Sequence, residues 1–209
     1  MVVDAVVLAG GRSRRLGGTD KARLQRDGVS LLARTLTAAR HARQIVVVGP
    51  EPAEPLPDGV LLAREQPPFG GPAAAIAAGL RRLREHVPAA DAVLVLACDM
   101  PHIGRAVPLL LAALASDSGT GIRADGIVVV DGDGRRQPLA SIYRAAPLTA
   151  AIAAHADQLD GLAVQRLVAD LELTPITVPG GATADVDTWE DAAALGVVRN
   201  PADNEHPPQ

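Results

Sequence analysis

With 209 residues, the chain suits one large domain or two small ones, and at this length about 70% of the unfolded surface is buried without help from disulfides. A net charge of −4 excludes the basic surface that general nucleic-acid binding uses, and a lone cysteine, Cys98, excludes an internal disulfide or a cysteine-cluster metal site. Hydrophobic residues make up 48%, yet there is one Trp, one Tyr and one Phe, so the core must be Ala, Val, Leu and Ile, and aromatic stacking is not expected as a main recognition device.

The chain enters a strand-like run at once, Val2–Leu8, with no basic leader segment or cleavage pattern before it. No apolar stretch approaches the roughly 18 residues of a membrane helix, so a soluble cytoplasmic protein is expected. Further runs rich in Val, Ile and Leu follow at Gln44–Val48, Val60–Ala63, Ala92–Ala97, Gly126–Val130 and Leu139–Tyr143. Between them, Ser30–Arg40, Ala73–His86 and Ala106–Ala115 read as helices, with polar residues spaced along an Ala/Leu background. Nearly continuous apolar strands alternating with helices imply a mostly parallel central sheet covered on both faces, a three-layer α/β domain.

Past Val130 the rhythm changes. "DGDGRRQPL" (Asp131–Leu139) reads as a hairpin or wide turn, followed by helices near Pro147–Ala156 and Ala163–Leu171 and a strand near Thr174–Val178. "TADVDTWEDAAALG" predicts a short strand, an N-cap at Thr188 and a helix ending before Gly196. Residues 1–198 form a single domain in this reading, and the polar, proline-rich tail 199–209 is expected to be disordered. A nucleotide-binding N-terminal half followed by an acceptor-binding C-terminal half within one sheet is the simplest organisation.

The loop after the first strand concentrates charge. From Gly11 to Arg26 there are Arg12, Arg14, Arg15, Lys21, Arg23 and Arg26 against Asp20 alone, in a chain that is negative overall. Gly10 and Gly11 allow close backbone approach to a ligand, and guanidinium and ammonium groups match phosphate oxygens. The loop therefore reads either as a polyphosphate cradle at a strand's carboxyl end or as a solvated basic turn. Gly17 is followed by Gly18 and Thr19, which does not fit the Walker pattern, and the loop is too long for the dinucleotide fingerprint.

Two further stretches carry candidate chemistry. "REQPPFGGPAAAIAAGL" (Arg64–Leu80) places a Gly-Gly-Pro turn before an Ala-rich helix, with an acid, Glu65, just ahead. "AVLVLACDMPHI" (Ala92–Ile103) ends a buried strand in Asp99, which reads as a cation ligand or as a helix cap. A carboxylate there is costly unless paired or metal-bound, and one or two carboxylates plus phosphate oxygens suit Mg²⁺. Cys98 reads as core packing and His102 as a loop residue.

These stretches resemble the molybdenum cofactor guanylyltransferase (MobA-like) family of nucleotidyltransferases. "LAGGRSRRLGGTDK" is similar to that family's L-A-G-G-x-S-x-R-M-G-x-D-K, with Leu16 for Met and one extra residue, Gly18 or Thr19, before Asp20. "GGPAAAI", the D-x-P of Asp99 to Pro101, "RRQPLASIYR" and "DVDTWED" follow in the family's order. The last departs from the family's N-x-N-T-x-E-D by carrying Asp185 and Asp187 where amides are usual.

The resemblance implies a Rossmann-like nucleotidyltransferase fold and transfer of GMP from GTP to molybdenum-molybdopterin cofactor, releasing pyrophosphate. Leu8, Ala9, Gly10, Gly11, Arg15, Lys21, Glu65 and Asp99 would bind the nucleotide, with Arg15, Lys21 and Asp99 in catalytic roles. Gln137, Pro138, Tyr143 and Asp185 would meet the acceptor, and Asp99 with Asp187 would hold Mg²⁺. Implied partners are GTP, the molybdopterin cofactor, and enzymes that make or receive that cofactor, with no nucleic acid and no membrane. Gly10 favours guanine, since cytidylyl relatives carry Ala-Ala-Gly where Ala9-Gly10-Gly11 stands. Alternatives are a CTP:molybdopterin cytidylyltransferase, a sugar-phosphate nucleotidyltransferase, or a non-catalytic nucleotide-binding module.

Overall fold

The apolar run that opens the chain becomes β1 (Val3–Leu8), the centre of a seven-stranded sheet in a computed structural model that describes residues 1–11, 13–117 and 124–201. The short strands β2 (Gln25–Arg26) and β3 (Val29–Ser30) follow, then α1 (Leu31–Ala38), β4 (Ile45–Val48), β5 (Leu61–Ala63), α2 (Gly71–His86) and β6 (Ala92–Ala97). The second half contributes α3 (Val107–Asp117), β7 (Gly126–Val130), β8 (Arg136–Arg144), α4 (Ala145–Ala154), α5 (Val164–Leu167), β9 (Leu173–Thr177), α6 (Trp189–Ala194) and β10 (Val197–Val198). Arg12 and residues 202–209, the greater part of the expected tail, lie outside the described residues.

The large sheet runs β5-β4-β1-β6-β8-β7-β9, and every pairing is parallel except the two made by β8. Because side chains alternate along a strand, β1 feeds both cores. Val6 and Leu8 pack with α2, α4 and α5, while Ala5 and Val7 face the side covered by α1 and α3. This is the expected three-layer α/β arrangement. α2 lies unusually close to the sheet: a Cβ at Gly79 would stand 2.8 Å from Val6 Cγ1 and 3.1 Å from Val48 Cγ2, so only glycine fits at that helix position.

The structure departs from the sequence expectation in several places. The strand expected at Leu139–Tyr143 is longer, Arg136–Arg144, and lies antiparallel between β6 and β7. Its pairing with β7 jumps from Val128↔Ser141 to Val129↔Gln137, so Pro138, Leu139 and Ala140 bulge out of that ladder. The short strand expected within "TADVDTWEDAAALG" does not form, and the helix expected to reach Leu171 stops at Leu167. A second sheet, β10-β2-β3, joins the chain's last strand to the segment after the basic loop. Arg199 and Asn200 also pack on the domain, with the Arg199 guanidinium 4.5 Å from the Trp189 ring centroid and Asn200 buried. Among the described residues, no helix is long and apolar enough to cross a membrane.

Candidate active site

The carboxyl ends of β1, β4 and β6, the amino end of α2 and the bulge of β8 surround one cavity of about 450 Å³. Leu8, Ala9, Gly10 and Gly11 form one wall, and Asp99 continues from β6. Gln137, Pro138 and Leu139 close the side toward β8, where an antiparallel strand presents its beginning rather than its end. The N-terminal and C-terminal halves thus share the cavity.

The basic loop wraps one edge. Arg14–Leu16 and Lys21–Arg23 form single 3₁₀ turns, and Asp20 caps the second by accepting the Ala22 N–H at 2.9 Å. Gly17 and Gly18 both adopt left-handed φ, 67° and 81°, and the Gly18 N–H closes back onto the Ser13 carbonyl at 3.0 Å. The additional residue before Asp20 is therefore taken up in a tight reversal of two glycines. Leu16 is fully buried against Leu24, Leu31, Val186, Ala192 and Val197, which anchors the loop to the C-terminal segment.

That anchoring also positions the acidic groups. Val186 is fully buried and its N–H donates to the Asp99 carbonyl at 3.0 Å, so its neighbours Asp185 and Asp187 are carried to the end of β6. Oxygen atoms of Asp99, Asp185 and Asp187 lie within 4.8 Å of one another. Into this cluster reaches Lys21, whose Nζ donates to Asp99 Oδ2 at 3.0 Å and to Asp187 Oδ1 at 2.6 Å. Arg15 lies at the outer edge with Nη1 3.8 Å from Asp187 Oδ2, largely exposed and away from the cavity wall. Three carboxylates offer hard oxygen donors of the kind a divalent cation prefers, so this donor set fits Mg²⁺.

Electrostatics follow from that crowding. Partial burial pulls the Lys21 pKa down, but the charge of Asp99 and hydrogen bonds and charge from both aspartates outweigh it and leave it raised. The Asp185 carboxyl is raised by partial burial, with the like charges of Asp99 and Asp187 adding to it. Thr188 caps α6 as expected: its Oγ1 accepts the Asp191 N–H at 3.1 Å, and Asp191 Oδ2 accepts the Thr188 N–H at 2.7 Å. Hydrogen bonds from Thr188 hold the Asp191 carboxyl below its ordinary value.

The remaining candidates separate clearly. Glu65 is buried on the cavity wall, its Oε1 accepting the Phe69 N–H at 3.0 Å, whereas Arg64 stands outside the cavity. Gln137 lines the cavity and is held by Asp131, which accepts from Gln137 Nε2 at 2.8 Å. Tyr143, expected near an acceptor, is fully buried in the α2 core instead, and its hydroxyl donates to the Pro138 carbonyl at 2.8 Å. It stands five positions along β8 from Pro138 and does not line the cavity, so it bears on the cavity through the bulge it holds. Cys98 lines the cavity, but burial pushes its thiol well above the ordinary range, which disfavours a nucleophilic thiolate. His102 contacts Arg26 behind the site, and burial holds its pKa below the ordinary value. Phe69 and Gln165 also line the cavity without having been expected there. A lone aromatic inside a Pro-Gly-rich turn beside an acid is the signal that points to Phe69.

Over residues 5–174 the sequence matches the MobA-like NTP transferase domain family. It is 33% identical over 129 residues to the molybdenum cofactor guanylyltransferase of Bradyrhizobium sp. (strain ORS 278), covering 59% of this chain and 61% of that protein. It is 37% identical over 151 residues to a probable molybdenum cofactor guanylyltransferase of Chloroflexus aggregans, covering 69% of this chain and 66% of that protein. The matches thus span 61% and 66% of the lengths of these relatives. Among solved structures, the molybdopterin-guanine dinucleotide biosynthesis protein A of Archaeoglobus fulgidus superposes with a TM-score of 0.66 at 17% identity, covering 92% of this chain and 96% of that one. At that identity the likeness is one of fold.

Proposed function

Because the chain belongs to the MobA-like NTP transferase family, we propose that it transfers GMP from GTP to the phosphate of molybdenum-molybdopterin cofactor, releasing pyrophosphate. In this reading residues 1–198 work as one domain, and the cytoplasm is its compartment. An oxygen of the acceptor phosphate attacks the α-phosphorus of GTP in line, the bond from that phosphorus to the bridging oxygen breaks, and pyrophosphate leaves. No protein nucleophile is needed, so the chain's task is positioning and charge neutralisation.

The observation that carries the reading is the convergence of Gly10, Gly11, Lys21, Asp99 and Gln137 on one cavity. Leu8 to Gly11 present backbone to the base, and Glu65 holds the loop beside it. Lys21 and Arg15 serve the triphosphate, with Lys21 balancing charge that builds at the α-phosphorus. Asp99 and Asp187 would hold Mg²⁺, with Asp185 beside them. When bound, that ion supplies Lewis-acid polarisation and a template for the phosphate oxygens. Gln137 and Pro138 meet the acceptor, and Tyr143 acts on it only through Pro138.

Asp185 and Asp187, standing where the family carries amides, favour a second reading in which another nucleotide or acceptor is used. Calorimetric titration with GTP and with CTP in the presence of Mg²⁺ separates the two. GTP binding in preference is expected, and preferential CTP binding overturns the guanylyl reading. A pyrophosphate-release assay across molybdopterin and sugar-phosphate acceptors then identifies the second substrate.

A further inference from the structure

Phe69 is the only phenylalanine in the chain, and the residue is 51% exposed on the cavity wall. A ring of that size ordinarily contributes by burial, yet none of the hydrophobic clusters among the described residues includes it. Its backbone lies in the left-handed region, φ 66°, where a bulky side chain is disfavoured and glycine is at ease.

Neighbours on both sides in sequence surround this residue. The buried Glu65 carboxylate accepts the Phe69 N–H at 3.0 Å. Gly70, Gly71 and Pro72 carry the chain directly into α2. The guanidinium of Arg64 lies over the ring, 5.9 Å from its centroid. Together these fix an aromatic ring on the wall of a cavity that it shares with the small or compact residues Gly71, Pro72 and Ala75.

We propose that Phe69 is the stacking residue of this site, packing its face against a planar heteroaromatic ring in the cavity, either the base of the nucleotide or the heterocycle of the acceptor. This rests on the nucleotidyltransferase reading above. A flat ring held by its backbone recognises a flat partner at little entropic cost, because stacking offers every heterocycle a π-face. Arg64 extends the platform by holding the phenyl ring from outside. The scarcity of aromatic residues then reflects economy of placement, since one ring is sufficient where the cavity opens.

The test compares wild type with Phe69→Leu, Phe69→Gly and Phe69→Tyr. Dissociation constants for GTP, CTP and tripolyphosphate with Mg²⁺ are measured by calorimetry, and KM for molybdopterin by pyrophosphate release. If the base is the partner, Phe69→Leu and Phe69→Gly weaken the preferred nucleotide about 5- to 100-fold, leave tripolyphosphate unchanged, and Phe69→Tyr restores binding. If the acceptor is the partner, nucleotide binding holds and KM for molybdopterin rises by a similar factor. Phe69→Gly should in either case unfold at the same or a higher temperature, because it relieves the left-handed strain, whereas a purely structural ring would lose stability. Unchanged nucleotide affinity together with unchanged KM overturns the proposal, as does an equal loss on tripolyphosphate. A wild type that prefers CTP would overturn the guanylyl reading alone, and the Phe69 comparison then proceeds with CTP.

Discussion

Lys21 donates to Asp99 at 3.0 Å across 78 positions of sequence, and the same ammonium reaches Asp187 at 2.6 Å. One lysine therefore engages two of the three carboxylates best suited to a divalent cation. An ammonium and a metal ion repel each other at such distances, so the two compete for the same oxygens. Removing the ammonium also leaves Asp99 and Asp187 without their nearest counter-charge. Lys21→Met is therefore expected to bind Mn²⁺ about tenfold more tightly in the absence of nucleotide, while nucleotidyl transfer falls sharply. Calorimetric titration of Mn²⁺ checks this, and equal or weaker binding by the variant would show that lysine and metal do not share the cluster.

Asp99→Asn keeps the shape of the side chain and removes its charge. The backbone carbonyl of residue 99 still accepts from Val186, so the 185–187 segment stays in place and the fold should be retained. Loss of one ligand and of one Lys21 partner is expected to lower turnover on the order of 10²- to 10³-fold, the scale seen when a transition-state charge loses a positioned partner. Steady-state pyrophosphate release beside thermal unfolding reads both quantities. Turnover within twofold of wild type would remove Asp99 from the machinery, whereas a wild type that binds nucleotide and releases no pyrophosphate would favour a non-catalytic nucleotide-binding module.

Much of this architecture was legible in the sequence. Long apolar runs mark β1, β6 and β7 because strands covered on both faces of a sheet carry no polar alternation. Asp99 stood out because a carboxylate ending such a run needs a partner. The direction of β8 was not legible, since the same Val/Ile/Leu preference serves parallel and antiparallel neighbours. The two-residue strands β2, β3 and β10 are too short to show any period. Lys21 and Asp187 are 166 positions apart, and only the burial of Leu16 and Val186 in one cluster brings them together. The expectation for Tyr143 rests on the resemblance of "RRQPLASIYR" to the family's acceptor segment, and the antiparallel direction of β8 carries that end away from the cavity.

Tyr143 offers a test of how the bulge in β8 serves the acceptor side. Its hydroxyl is the partner of the Pro138 carbonyl, and both are buried, so Tyr143→Phe leaves an acceptor without its donor. Burying an unsatisfied carbonyl costs about 1–3 kcal/mol. At this chain length that corresponds to a fall in Tm of roughly 2–4 °C per kcal/mol. Because Pro138 and Gln137 line the cavity, KM for the acceptor should rise while the dissociation constant for GTP stays unchanged. A loss of Tm with both substrate constants unaffected would leave Tyr143 as a core residue only.

The acidic cluster has a pH signature in stability. Partial burial, then the charges of Asp99 and Asp187, raise the Asp185 carboxyl above its ordinary value. The folded state therefore holds that proton more tightly than the unfolded chain does. Between the unfolded and folded pKa values the folded state binds more protons, so stability falls as pH rises through that window. Above the folded pKa the full penalty is present, and it is relieved as pH falls back through it. Asp185→Asn removes the ionised form altogether. Without divalent ions, it is expected to raise Tm by about 1–3 °C near pH 7, a modest amount because the group is exposed to solvent screening. The gain should shrink toward zero as pH falls below the carboxylate range, about pH 4. Adding millimolar Mn²⁺ should stabilise wild type more than the variant, since the ionised Asp185 then has a counter-charge to meet. Calorimetric scans of both proteins at the two pH values, with and without Mn²⁺, test the sign directly. A variant that is less stable near neutral pH would mean that the Asp185 charge supports the fold.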